Sequence, residues 1–96
     1  MLDRTAYYGI PEGTYDSLRR YVQWGVPLGG FLAALVSNDL MGAANRADDR
    51  HVLCFHELAR FVFNEMPVGC QGSRPAVRAW IEMGGLEGER NRGGRE

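Results

Sequence analysis

Apolar side chains recur at helical spacing in four stretches of the chain, and glycine and proline separate those stretches. Tyr15, Leu18, Tyr21 and Val22 share one face of the first stretch, and Asp16, Arg19, Arg20 and Gln23 share the other. This predicts a helix over 14–24 with Thr14 as its N-cap, Gly25 as a left-handed stop and Pro27 beyond it. The second stretch predicts one continuous helix over 30–46. Phe31, Leu32, Leu35, Val36 and Leu40 form its apolar arc, while Ala33, Ala34, Ser37 and Ala44 form a small-residue side that another helix could approach closely. Asp39 falls inside the apolar arc, so it is expected to be buried and hydrogen-bonded, because an unpaired carboxylate is costly there.

The third stretch starts at an Asp48 N-cap and ends at Met66, before Pro67. Val52, Phe55, Leu58, Ala59, Val62, Phe63 and Met66 read as its main core face, with Asn64 on the polar stripe in a structural role. Cys54, Leu58 and Phe61 repeat on a further side, which makes them the candidate interface of a homo-oligomer. The fourth stretch opens at a Ser73 N-cap, accepts Pro75 near its start, packs Val77, Trp80 and Ile81, and stops at Gly84. No alternating period argues for strands. The expected fold is all-α: a compact bundle of about four helices in a single domain over 1–86. Residues 87–96 have no apolar side chain and are expected to form a flexible, disordered tail.

Composition narrows the function more than the fold. A 96-residue chain with net charge −1 is a single domain without the basic excess that nucleic-acid binding normally needs. Every one of the eleven basic residues is arginine, whose fork suits carboxylates and phosphates. No apolar stretch is long enough to span a bilayer, and no signal segment opens the chain. The expected setting is therefore cytoplasmic, with Cys54 and Cys70 as free thiols.

The runs Gly25-Val26-Pro27-Leu28-Gly29-Gly30-Phe31-Leu32, Asn38-Asp39-Leu40 and Arg46-Ala47-Asp48 form a pattern that continues with Asn64, Pro67, Cys70, Gly72-Ser73 and Trp80. This pattern resembles a family of short phage and prophage proteins, over most of the chain. The family carries an aromatic before the Gly-Ser pair, where this chain has Gln71. The resemblance implies a phage setting and a helical architecture, and it brings no activity with it.

No catalytic or metal-binding set emerges from the spacing. His51 and His56 lie about 140° apart around a helix, so they cannot share an ion as an i,i+4 pair would. Cys54 near them lacks a sequence-placed orienting group, and Asn38-Asp39 lacks a partner acid, base or metal motif. The chain therefore reads as non-enzymatic, with no cofactor. Two places could hold an anion: Gly29-Gly30 opening one helix, and Ser73-Arg74 opening another, with Arg78 one turn on. As simple caps and solvated arginines the same residues would do nothing further. The function expected from them is an oligomeric binder of an anionic, nucleotide-like molecule, which in a phage setting suits sequestration of a host immune messenger. The alternative is an interaction module that docks on a host or phage protein and holds no small molecule.

Overall fold

A computed structural model describes residues 9–93, apart from the side chains of residues 50 and 90–93. In chain order the described helices are α1 (Glu12–Trp24), α2 (Gly30–Val36), α3 (Leu40–Arg46), α4 (Asp49–Glu65), α5 (Arg74–Met83) and α6 (Gly85–Gly93), with a 3-10 turn over Val68–Cys70. Among the described residues no strand occurs and no helix is long and apolar enough to cross a membrane. The architecture is all-helical as expected, with more helices than the four predicted.

The helix ends follow capping chemistry closely. Asp48 caps α4 by accepting the His51 N–H at 2.9 Å, and Ser73 caps α5 by accepting the Ala76 N–H at 3.2 Å. Gly25 (φ 71°) and Gly84 (φ 91°) close α1 and α5 in the left-handed conformation, as predicted. The start of α1 differs from the expectation. The helix begins at Glu12 after Pro11, and the Thr14 hydroxyl instead shares a 2.9 Å hydrogen bond with His51 Nε2.

The helix predicted over 30–46 is broken into α2 and α3. Asn38 sits at φ 64°, a conformation that asparagine tolerates better than most residues. Asp39 then caps α3, its Oδ1 accepting the Gly42 N–H at 3.0 Å. What looked like a carboxylate misplaced on an apolar arc is the start of a new helix. Its side chain is 41% exposed, so the expected burial of Asp39 is corrected.

The core is built from Leu18, Tyr21 and Val22 of α1, Phe31, Leu32, Ala34, Leu35 and Val36 of α2, Leu58, Phe61 and Val62 of α4, and Val77 and Trp80 of α5. Leu58, Val62 and Met66 are buried as the expected core face of α4, but the rest of the face assignment is corrected. Leu58 and Phe61 are fully buried and Cys54 nearly so, which removes them as an interface between copies. Tyr15 of α1 packs edge-on against Phe61, with ring centroids 5.9 Å apart. Val52 and Phe63, expected in the core, are exposed instead. Backbone at Cys54 (φ −114°, ψ 15°) leaves helical geometry, so residues on either side do not share the face that one ideal helix would give them.

The residues expected to be disordered divide at 93. Residues 87–93 belong to α6, and 94–96 lie outside the described residues, as do 1–8 of the expected domain. α6 packs on α1, where Gln23 donates to Glu87 Oε2 at 2.6 Å, and Leu86 rests against the core.

Candidate functional site

The short α2 presents Ala33 and Ser37 one turn apart, and these small side chains allow α5 to come close. A cleft of about 380 Å³ remains between the two helices. Its apolar walls are Ala33, Val77 and Ile81, and its charged residues are Arg74, Arg78 and Glu82. Ser37 also lines it and is only 6% exposed, yet its hydroxyl has no hydrogen-bond partner. A buried unpartnered hydroxyl costs about 1–3 kcal/mol, so a group in the cleft able to bond it would recover that energy.

Arg74 is the first residue of α5 and Arg78 stands one turn on. A cation at the positive end of a helix is mildly disfavoured. The structure offsets this with Asp39, whose Oδ2 lies 3.1 Å from Arg74 Nη2. The Asp39 carboxyl is held below the ordinary carboxylate range, first by the Gly42 N–H and then by the Arg74 hydrogen bond. Arg78 makes no hydrogen bond or ion pair among the described residues, and Glu82, one turn further, forms none with it.

The candidate residues read from the sequence are thus partly brought together. Arg74 and Arg78 face one cleft, with Ser73 beside them acting as the α5 cap. Gly29 and Gly30 are elsewhere. They begin α2 about 12 Å from Ser37 at its far end, and they line a separate 400 Å³ hollow with Thr14, Ser17, Arg46 and His51. Asn38 and Asn64 are exposed. Ser37 is the cleft residue that sequence reasoning left without a role, and Asp39, expected to be hydrogen-bonded, meets the site through Arg74. Their only signals were a small residue on the helix-facing side of α2 and a carboxylate out of register.

His51 is occupied structurally, stacked on Phe31 at 4.4 Å between centroids, with Nδ1 3.1 Å from Asp48. Cys54 and Cys70 are buried free thiols. Among the described residues no group of three or more His, Cys, Asp or Glu could hold a metal ion. Comparison of the chain with protein-family models, with curated proteins and with solved structures gives no match.

Proposed function

We propose that this chain is a small, non-enzymatic phage-type accessory protein that holds an anionic, nucleotide-like ligand in the cleft between α2 and α5. The observation that carries this reading is one cleft bearing Arg74, Arg78 and the unpartnered hydroxyl of Ser37. The arginines suit phosphate oxygens, the hydroxyl supplies a directed hydrogen bond, and Ala33, Val77 and Ile81 offer an apolar bed for a base. Glu82 can accept from an exocyclic amine or a sugar hydroxyl. The volume of about 380 Å³ lies within the usual range for small-ligand sites, about 300–1,000 Å³. In the cytoplasm of a phage-infected host such a binder, working as an oligomer, would sequester an immune second messenger.

Calorimetric titration with a panel of cyclic and linear nucleotides tests the reading. Wild type is expected to bind at least one of them, and Arg74→Ala/Arg78→Ala to weaken it at least 100-fold, about 2.7 kcal/mol or more for two charge-assisted contacts. Silence across the panel, or binding unchanged in the double variant, overturns it.

The alternative, docking on a host or phage protein without a small molecule, is favoured by a different observation. Phe63 and Leu40 stand exposed along an apolar groove of about 390 Å³ beside α4, which no charged side chain lines. A silent nucleotide panel would leave this as the reading.

A further inference from the structure

One of the cleft's two arginines, Arg74, already holds an anion. Asp39 divides its carboxylate between two tasks: Oδ1 caps α3 through the Gly42 N–H, and Oδ2 takes Arg74 Nη2. Nη2 belongs to both of the paired N–H edges that an arginine can offer, end-on and side-on. With Asp39 on that nitrogen, an incoming phosphate finds at most one complete edge. It must then sit within about 6 Å of a carboxylate. Arg74, Arg78, Asp39 and Glu82 sum to no net charge, so Arg78 is the cleft's unmatched cation only while Arg74 stays paired.

The pair is built to open. Both partners are about half exposed, Arg74 at 53% and Asp39 at 41%, and an exposed ion pair is weak. The Gly42 cap keeps Asp39 close when the arginine lets go.

Resting on the ligand-binding reading above, we propose that Asp39 is an internal competitor for the ligand's phosphate, so that the cleft selects ligands carrying two phosphate groups. One phosphate engages the unpaired Arg78, and the second displaces Asp39 from Arg74. A ligand with a single phosphate engages Arg78 alone and leaves the Asp39–Arg74 pair closed. Asp39 is a positioning and selecting residue here and touches no ligand.

Asp39→Asn separates the two tasks, because asparagine caps a helix as well as aspartate but carries no charge. Calorimetry with ADP, and with inorganic pyrophosphate as a base-free probe, reads the effect against AMP. Asp39→Asn should tighten ADP and pyrophosphate by roughly three- to tenfold. The gain should vanish in Asp39→Asn/Arg74→Ala, and melting temperature serves as the check on the retained cap. Asp39→Ser, a second neutral cap, should reproduce the gain if the asparagine variant folds poorly. Wild-type binding of ADP with the same affinity in both neutral variants overturns the competitor and leaves the ligand reading intact. So does a gain that survives Arg74→Ala. No binding by any of these proteins overturns both.

Discussion

Cys70 and Tyr21 show how single buried polar groups tie distant parts of this chain together. The Tyr21 hydroxyl donates to the Cys70 carbonyl at 2.6 Å, and the Cys70 thiol donates to the Pro67 carbonyl at 3.0 Å. Trp80 Nε1 donates to the carbonyls of Tyr21 and Val22 in the last turn of α1, where the Tyr21 oxygen also accepts the Gly25 N–H. Gln71 does the same for α4 through the Val62 and Met66 carbonyls, so its amide has a clear use where an aromatic ring would have none. Burial pushes the Cys70 thiol from 9.0 up to about 12, and it raises the Tyr21 phenol above its ordinary 10.0. In the unfolded chain both groups ionise at their ordinary values. Between pH 9.0 and about 12 the folded state therefore binds more protons than the unfolded one, and stability falls as pH rises. Thermal melts should be level up to about pH 8.5 and decline above pH 9.0, with a shallower decline in Cys70→Ala. A melting temperature unchanged up to about pH 10.5 would contradict this account of the knot.

At the scale of elements, the junction of α5 and α6 against α1 rests on backbone contact. Gly85 has φ 70°, and a Cβ there would stand 2.6 Å from the Gly25 nitrogen and 2.7 Å from the Val22 carbonyl oxygen. Neither atom can swing aside as a flexible side chain would. Gly85→Ala should therefore undock α6, costing about 1–3 kcal/mol from strain and lost contact. Hydrogen exchange would show protection lost over residues 86–93 while α4 keeps its own, and equal protection throughout would refute it. The same junction explains what the sequence concealed. Caps and stops such as Asp48, Ser73, Gly25 and Gly84 were legible because each acts within one turn. α6 was not, because it is held by a backbone approach and a Gln23–Glu87 bond, which leave no hydrophobic period. The break at Asn38-Asp39 was hidden for the opposite reason: the apolar spacing runs on through it from Leu35 and Val36 to Leu40.

For the molecule as a whole, the all-helical class was legible in the periodicity, whereas which faces meet was not. Arg74 and Arg78 could be paired from spacing alone, but Ser37 reaches the cleft, and Asp39 its partner Arg74, only through tertiary packing, and α4 turned its expected core residue Phe63 outward. That outward face bears on assembly. Leu53 and Phe63 on α4 are 90% and 80% exposed, and Met41 and Leu40 on α3 are exposed as well. Leu40 and Phe63 border the same apolar groove, into which a second copy could place its own Phe63 in a two-fold arrangement. The oligomer expected from the sequence is accordingly predicted to form through this groove, since Cys54, Leu58 and Phe61 are spent within the chain. Burying one phenylalanine contributes about 2 kcal/mol, so a symmetric pair contributes about 4 kcal/mol, or roughly a thousandfold in dissociation constant. Sedimentation velocity at about 50 μM should then show wild type as a dimer or larger, and Phe63→Glu as a monomer with unchanged helical content. The substitution replaces an exposed ring, so it should leave the monomer's stability within about 0.5 kcal/mol. A wild type that sediments as a monomer, or a Phe63→Glu protein that sediments with wild type, would mean that this face does not join copies of the chain.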